Sequence, residues 1–411
     1  MADAIELDQT FTRDPHPILR RMRAEGPVHR VTMYGGVPVW LITRYDEARA
    51  LLADPRLSKE HAASIALFPP ENDGGFDSEL LASMLQSDPP DHTRLRKLVA
   101  KAFTMRAAEA MRPQIEDIAD GLLADIDTEA PVDLIAAYAG PLPVRVISEL
   151  LGIPTSRRRR FQDLVEPFLD DSAREQRNAA AAELAKMLSD LIAEKRRQPI
   201  SDLTSALIAA RDDGDQLSER ELLATLWLMI AAGYDTTVNL IANGILALLH
   251  NPAQLAALRA DPSQMPTAVE EILRFASPVS VSTIRFTTEP VEVGDVEIPA
   301  NELVMVSLLG ANRDGEHFDD PDRLDLTRKP NAHLAFGHGI HHCLGAAIAR
   351  LEGRVALGKL LEKFDRLELA TTGPIEYRNS AHMHGLSALP VRCVPLHRRH
   401  EGFGERSVGV R

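Results

Sequence analysis

Cysteine is scarce in this sequence: Cys343 and Cys393 are the only two among 411 residues. Two cysteines cannot build a disulfide framework, so the sequence predicts a reducing, cytoplasmic environment. Cys393, in "LPVRCVPL", is expected to be a buried and unreactive thiol. The paired CxxC spacing of common structural zinc sites is absent as well.

Positive charge and long apolar runs are also lacking. Lys and Arg number 46 against 60 Asp and Glu, a net charge of −14 that argues against general nucleic-acid binding. The four arginines at 157–160 fit either the solvated start of a helix or a docking site. Asp235, Asn239 and Asn243 interrupt the apolar segment 222–250, which predicts a long buried helix and no membrane span. The first residues have neither a basic start nor an apolar run, so no secretory signal is expected.

The periodicity of the chain predicts a mainly α protein with small β-sheets (α+β). A single domain over residues 1–411 is expected, because no repeat or flexible linker divides the sequence. Helices are predicted within 91–210, over a long central segment, near 266–275 and at 344–363, and short strands at 278–306 and near the C-terminus.

Three local signals refine this outline. Residues 28–43 resemble a hairpin that turns at Gly35-Gly36. Ser218 and Glu221 have the spacing of a capping box, which would begin the long central helix. The mixed segment 59–86 is longer than ordinary loops, so it is expected to be either functional or disordered.

The centre of the long helix reads "MIAAGYDTTVNL". Gly233 costs about 1 kcal/mol in a helix relative to Ala, and Thr236 can donate to the carbonyl of Ala232, a bond that bends helices. Asp235 would be unfavourable there without a partner. These features predict a distorted helix against which a ligand lies, with Asp235 and Thr236 as a proton relay. The alternative is a helix whose polar residues face a water-filled seam.

Several cationic side chains stand in separate parts of the chain. His92 and Arg96 are four residues apart and share one helix face, while Arg285 and His341 lie far away in sequence. Each alone is more often a surface residue. Brought together, they would suit an anionic ligand with two carboxylates. The pair Glu271 and Arg274, three residues apart, says little by itself.

The stretch "AFGHGIHHCLGAAIAR", residues 335–350, places His338, His341, His342 and Cys343 within six positions. A zinc site is one interpretation, but sequence neighbours do not converge easily on one ion, and common structural sites need four ligands. The CxxCH pattern of covalent haem attachment is absent.

The other interpretation is a single thiolate ligand. Cys343 precedes a predicted helix, whose N-terminal N–H groups and dipole are expected to lower the pKa of the thiol. Gly337 and Gly339 allow tight turns, and Gly345 leaves space for a flat ligand. This arrangement suits one axial sulfur on haem iron.

On these residues the chain resembles the bacterial cytochrome P450 family. "FGHGIHHCLG" is similar to the cysteine-ligand signature FGxGxHxCxG, and further similarities follow in order over nearly the whole chain. They are "DPPDHTRLR" for the helix that meets the haem propionates, "AGYDTT" for the oxygen-activation motif, the ExxR pair Glu271 and Arg274, and "ANRDGEHFDDPDRLDLTR" before the cysteine loop, where Arg323 would complete a network with that pair.

The resemblance implies a P450 fold with haem b and a role for each matching residue. Cys343 would be the proximal thiolate, and Asp235 with Thr236 would organise dioxygen and deliver protons. The propionates would be held by His92, Arg96, Arg285 and His341. Further contacts to the haem are expected from Phe336, Gly337, Gly345 and Ala232. The implied reaction is hydroxylation or epoxidation of a bulky lipophilic molecule such as a macrolide, polyketide or steroid of secondary metabolism.

The chain has no flavin or nicotinamide domain, so the resemblance also implies a ferredoxin and an NAD(P)H-dependent ferredoxin reductase as partners. Lys97, Lys101, Arg106 and Arg354 are candidate docking charges. Substrate contacts are expected from residues 59–86, 161–171, 279–281 and 383–384 and from the helix before Gly233. Three alternatives stay open: a peroxide-dependent haem-thiolate enzyme, a non-catalytic haem sensor and a helical zinc protein. The Asp235–Thr236 pair argues against the first two.

Overall fold

The computed structural model describes residues 5–33, 36–68, 83–169, 174–210, 214–371, 373–380 and 382–395. Helices dominate, as the periodicity predicts. They are α1 (Gln9–Arg13), α2 (Pro15–Glu25), α3 (Tyr45–Leu51), α4 (His61–Ile65), α5 (Asp91–Ala100), α6 (Met105–Ala110), α7 (Arg112–Ala124), α8 (Pro141–Leu150), α9 (Thr155–Leu169), α10 (Arg174–Arg197), α11 (Leu203–Ala209), α12 (Glu219–His250), α13 (Pro252–Ala260), α14 (Met265–Phe275), α15 (Leu308–Ala311) and α16 (Ala346–Lys363).

The strands are short and form small sheets. They are β1 (Ile5–Glu6), β2 (Val28–Met33), β3 (Val37–Ile42), β4 (Leu57–Ser58), β5 (Val132–Asp133), β6 (Arg285–Thr287), β7 (Val291–Val293), β8 (Val296–Ile298), β9 (Leu303–Val306), β10 (Phe364–Leu369) and β11 (Pro390–Pro395). The largest described sheet has the order β1-β2-β3-β9-β6-β4, beside a sheet β10-β11-β5 and the pair β7-β8.

The predicted hairpin is confirmed. Strands β2 and β3 are antiparallel, with Met33 opposite Val37, and Gly36 in the turn has a φ of 78°, a left-handed conformation that favours glycine. Gly35 lies outside the described residues. The sheet matters for the site because β4 pairs with β6, which brings Ser58 opposite Phe286.

The long helix α12 is continuous over 32 residues and begins with the predicted capping box. The Glu221 N–H donates to the Ser218 hydroxyl, and the Ser218 N–H donates to the Glu221 carboxylate at 2.8 Å. From Thr237 to Leu248 the helix is buried on all sides. It packs closely on α16, because a Cβ on Gly353 would lie 3.0 Å from a methyl group of Leu240. This contact connects the helix that follows the cysteine with the helix that carries Asp235.

The arginines at 157–160 are part of α9, as the solvated-helix interpretation predicts. Each forms an ion pair within α9 or with a neighbouring helix. The pairs are Arg157 with Glu194, Arg158 with Glu149, Arg159 with Asp163 and Arg160 with Glu183. In the described part of the chain, no helix combines the length and the apolar character that a membrane crossing needs.

Candidate functional site

A tight loop between Leu334 and α16 presents Cys343. The Cys343 N–H donates to the Phe336 carbonyl at 2.9 Å, and the Gly337 N–H donates to Leu334 at 2.8 Å. Gly337 and Gly339 both have positive φ angles, 69° and 72°. A Cβ on Gly339 would also lie 2.7 Å from the backbone oxygen of Leu52. Both glycines are therefore needed for this loop, as the sequence predicts.

The thiol of Cys343 is accessible although protein atoms surround it closely. The Gly345 N–H and the charges of Arg96 and Arg350 lower its pKa, but burial has the larger effect and raises the pKa of the thiol overall. The N–H group at the start of the helix thus lowers the pKa of the thiol as expected, but burial outweighs this effect. The thiolate form needs direct coordination to a cation, which deprotonates a thiol outright. A Cβ on Gly345 would lie 3.9 Å from Sγ, so the glycine keeps the space beside the sulfur open.

The histidines next to this cysteine do not form a metal site with it. Over the residues that the structure describes, no group of three or more His, Cys, Asp or Glu side chains could hold a metal ion. The zinc interpretation is therefore wrong for the described residues. His342 contributes its backbone carbonyl, which accepts a 2.7 Å hydrogen bond from Arg96 Nη2. Only Cys343 is left as a candidate ligand in this loop.

His92 on α5 and His341 in the cysteine loop lie side by side, with ring centroids 4.4 Å apart. Both ring nitrogens of His92 and Nε2 of His341 are buried and have no hydrogen-bond partner. Buried polar atoms are nearly always hydrogen-bonded in native proteins. Three unpartnered nitrogens at one place therefore indicate a ligand with polar atoms.

Arg285, at the start of β6, is buried and belongs to the same cluster. Its guanidinium Nη1 donates to the Ser282 hydroxyl at 3.2 Å and to the Thr283 carbonyl at 2.9 Å. Burial lowers its pKa to about 10. Since β4 and β6 pair, the residue after β4 also reaches this point: Lys59 is 2% exposed, and its Nζ donates to the Thr283 hydroxyl at 2.7 Å.

These cationic groups act on one another. Burial first, and then the charges of Lys59, His92, Arg285 and Arg96, lower the pKa of His341 to about 2. The structure thus brings together the four residues that the sequence assigns to an anionic ligand. Lys59 is an addition that sequence reasoning missed, because it stands at the start of segment 59–86 and no periodicity marks it as inward-facing. We refer to these five residues as the cation cluster.

The cation cluster and the accessible thiol fit haem b. A sulfur ligand suits the iron, and an excess of buried positive groups suits the two carboxylates of the porphyrin. Asp88 is the acid that stands next to the cluster. Its carboxylate accepts from the backbone N–H of Lys59 at 3.1 Å and from the Ser58 hydroxyl, and no ion pair joins it to a described cation of the cluster.

On α12, the Thr236 hydroxyl donates to the Ala232 carbonyl at 2.6 Å, as predicted. The expected distortion does not interrupt the helix, which is continuous through this point. Ala232 is exposed although the residues that follow Thr236 are buried, so this part of α12 faces open space. Gly233 has a packing role, since a Cβ there would lie 3.3 Å from Ile147 on α8.

Asp235 has a partner that the sequence did not reveal. Arg378 Nη2 donates to Asp235 Oδ1 at 2.9 Å and to Asn239 Oδ1 at 3.0 Å. Asn239 is one helical turn beyond Asp235, so one arginine holds two side chains of the same helix face. Arg378 and Asp235 are 143 residues apart in the sequence, and no local pattern connects them. A Cβ on Gly385 would come within 2.2 Å of Asn239 Oδ1, so this glycine makes room for the contact.

Glu271 and Arg274 form a completely buried ion pair on α14, with Arg274 Nε and Nη2 each 2.8 Å from a carboxylate oxygen. Arg274 also donates to backbone carbonyls of the segment 312–323. The prediction that the Arg323 side chain completes this network is wrong, because that side chain points to solvent and pairs with Asp325. Arg328 contacts the Glu271 carboxylate instead, at 3.2 Å.

The predicted substrate segments are only partly described. Residues 69–82 and 170–171 lie outside the described residues. Val279 and Met383 form an isolated antiparallel bridge, which brings two of the predicted segments together. His384, in the same turn, is buried and stacks on Tyr377 with ring centroids 4.4 Å apart. Burial first, and then the charge of Arg313, lower the pKa of His384 to about 3.

The chain is similar to known proteins over nearly its full length. Residues 144–388 match the family model described as Cytochrome P450. The chain is 49% identical over 396 residues to Cytochrome P450 107B1 of Saccharopolyspora erythraea, covering 95% of this chain and 98% of that protein. It is 48% identical over 390 residues to Vitamin D(3) 25-hydroxylase of Pseudonocardia autotrophica, covering 94% and 95%. The solved structure of the tirandamycin C-bound P450 monooxygenase TamI has a TM-score of 0.87 and 47% identity, covering 95% and 100%.

Proposed function

Because this chain belongs to the cytochrome P450 family of haem-dependent monooxygenases, we propose that it hydroxylates a bulky lipophilic molecule with electrons from a ferredoxin and its reductase. The observation that carries the proposal is the accessible thiol of Cys343 beside the cation cluster, with Asp235 and Thr236 on α12. Relatives that act on vitamin D3 or bind tirandamycin C support a large, mostly apolar substrate.

In this proposal each group of residues holds one part of the haem. Cys343 coordinates the iron, and the unpartnered nitrogens of His92 and His341, with Arg96 and Arg285, donate to the carboxylates. Phe336, Gly337, Gly345 and Ala232 would contact the bound haem. The bound haem supplies the activation of dioxygen and the transfer of its oxygen atom.

Proton delivery is assigned to Asp235 and Thr236. The Thr236 hydroxyl proton is committed to the Ala232 carbonyl, which leaves the lone pairs of its oxygen to accept a hydrogen bond from a ligand or water. Asp235 is 13% exposed, so solvent reaches its carboxylate while Arg378 fixes one of its oxygens. The other oxygen is left to exchange a proton with water. Arg378 is thus a positioning residue for the acid, at the point where the C-terminal turn meets α12.

Electrons are proposed to enter on the surface near the cysteine loop. Lys97, Lys101 and Arg106 are exposed there, on and after α5. Two large apolar side chains are also exposed. Met105, next to Arg106 in the sequence, is 72% exposed, and Ile340, in the cysteine loop, is 48% exposed. Exposed apolar side chains are typical of the centre of a protein–protein interface, and polar side chains of its rim. An acidic ferredoxin would complement this surface.

The first experiment is the carbon-monoxide difference spectrum of the reduced protein. We expect the red-shifted Soret band of a thiolate ligand in the wild type and its loss in Cys343→Ser. His342→Ala is the matched control, because that ring is not assigned to the iron, and it should retain the band. A histidine-type spectrum in the wild type would overturn the assignment of Cys343.

Substrate and electron source need a second experiment. A library of macrolides, polyketides and steroids is screened for low-to-high-spin shifts, and positive compounds are incubated with ferredoxin, reductase and NADPH or, separately, with hydrogen peroxide. We expect a hydroxylated product in the first reaction. Product formed only with peroxide would support the peroxide-dependent alternative, and no product in either reaction would support a sensor.

A further inference from the structure

Lys59 is a buried cation that pairs with no carboxylate among the described residues. It follows β4, and its side chain is 2% exposed. The Nζ of Lys59 donates to the Thr283 hydroxyl, which carries no charge. In the described parts of the chain, no carboxylate lies within ion-pair distance of Nζ. A buried lysine ordinarily has a paired acid. Lys195 illustrates that rule in this protein, since its equally buried ammonium pairs with Asp202.

The adjacent acid serves another purpose. Asp88 accepts from the backbone N–H of Lys59 and from the Ser58 hydroxyl, so its carboxylate fixes the main chain where β4 ends. The ammonium is left directed toward Thr283 and Arg285. Burial and the charge of Arg285 both lower the pKa of Lys59, and only the charge of Asp88 opposes them. The surroundings therefore destabilise the ammonium unless a further anion is bound.

The neighbours of Lys59 are the residues to which the proposed function assigns the haem carboxylates. It shares Thr283 with Arg285, whose guanidinium donates to the carbonyl of that residue, and its charge acts on His92 and His341. One anion bound here would be reached by both Lys59 and Arg285. Because two long cationic side chains converge on one backbone segment, the anion is a group with several oxygen acceptors, such as a carboxylate.

We propose that Lys59 binds a haem propionate directly, as a further cofactor ligand beside Arg285. The structure supports this assignment because Lys59 is buried, pairs with no described carboxylate and is anchored to Thr283, whose carbonyl also accepts from Arg285. A carboxylate of the substrate is the other possible anion. The assignment rests on haem binding by this family and does not depend on which substrate the enzyme uses.

The test compares Lys59→Met with Lys59→Arg, and uses Lys186→Met as a control because that side chain is 76% exposed. Two quantities are measured without substrate: the urea unfolding of the haem-free protein, and the rate of haem transfer from the loaded protein to excess apomyoglobin. We expect Lys59→Met to make the haem-free protein more stable, because it removes an unpaired buried ammonium. The same variant should lose haem about tenfold faster, since a charge-assisted hydrogen bond is lost.

These opposite signs distinguish a ligand from a residue that only supports the fold, which would change both quantities in the same direction. Lys59→Arg should retain haem, and the reduction potential of the iron should become more negative in Lys59→Met but not in Lys59→Arg. If Lys59→Met does not fold without haem, the transfer rate and the potential still decide. Unchanged haem transfer and potential would overturn the proposal. If Lys59→Met left haem transfer and the potential unchanged but failed to bind fatty acids, which carry a carboxylate, Lys59 would bind a carboxylate of the substrate instead.

Discussion

Two regions of this protein bury arginine, and they differ in whether their charges are balanced. Around Glu271, both carboxylate oxygens receive hydrogen bonds from Arg274, and Arg328 and Asn331 add to them. Within the described residues of the cation cluster, Arg285 donates only to neutral acceptors, and Lys59 donates only to the Thr283 hydroxyl. The charges of the first region are balanced by described residues of the chain, whereas those of the second region are balanced only when an anion is added.

The comparison shows that the burial of charge alone does not identify a binding site. Glu271 and Arg274 are completely buried, and Lys59 and Arg285 are nearly so, at 2% and 5% exposed. The informative property is the balance of donors and acceptors. Glu271 and Arg274 compensate each other's loss of hydration, whereas the cation cluster contains nitrogens of His92 and His341 that have no hydrogen-bond partner in the part of the chain that the structure describes.

The largest effect is expected for Arg274→Met. This change leaves the Glu271 carboxylate buried without its main partner and frees the carbonyls of Asn312 and Pro321, so it should lower the free energy of unfolding by about 3–5 kcal/mol. Urea denaturation measures the change, with and without haem. The double variant Glu271→Leu/Arg274→Met is the control and should recover part of the loss. A single variant within about 1 kcal/mol of the wild type would contradict the view that this region is a complete structural unit.

The second prediction concerns Asp235, which has an arginine partner but remains partly exposed. If its ion pair serves catalysis and not the fold, Asp235→Asn should reduce product formation by about 100-fold while leaving the spin shift on substrate binding and the unfolding midpoint unchanged. Reducing equivalents should then be consumed without product. Asn239→Ala is the matched control, since it removes the other acceptor of Arg378 without removing the acid. A large loss of stability in Asp235→Asn would show that the Asp235–Arg378 pair has a structural role, as the Glu271–Arg274 pair does.

Sequence patterns predicted those parts of the site that depend on local geometry. The loop around Cys343, the bond from Thr236 to Ala232 and the capping box at Ser218 each follow from residues within a few positions of one another. Lys59 and Arg378 could not be found this way, because their partners are supplied by strand pairing or by a turn more than 140 residues distant. Arg323 was predicted to join the network around Glu271, but Arg328 stands in the same segment, and only the path of that segment decides which side chain turns inward.

The third prediction tests the unbalanced region. Arg285→Met should weaken haem binding about tenfold, because one charge-assisted donor to the carboxylates is lost. In contrast with Arg274→Met, it should not lower the stability of the haem-free protein, since Arg285 forms no ion pair with a described carboxylate. Haem titration of the haem-free protein and its urea denaturation measure the two effects. Equal destabilisation of the haem-free protein by Arg285→Met and Arg274→Met would remove the distinction between the two regions.

The smallest effects separate two arginines of one segment. Arg328→Ala should lower the free energy of unfolding by about 1–2 kcal/mol, because it removes a hydrogen bond to the buried Glu271 carboxylate and others to the carbonyls of Asp319 and Asp320. Arg323→Ala should change it by less than about 0.5 kcal/mol, because that side chain is 66% exposed and pairs only with Asp325. The backbone carbonyl of Arg323 still accepts from Arg274 in this variant. If Arg323→Ala lowered the free energy of unfolding more than Arg328→Ala in urea denaturation, the Arg323 side chain would belong to the network. Arg328 would then not be the arginine that adds to the Glu271–Arg274 pair.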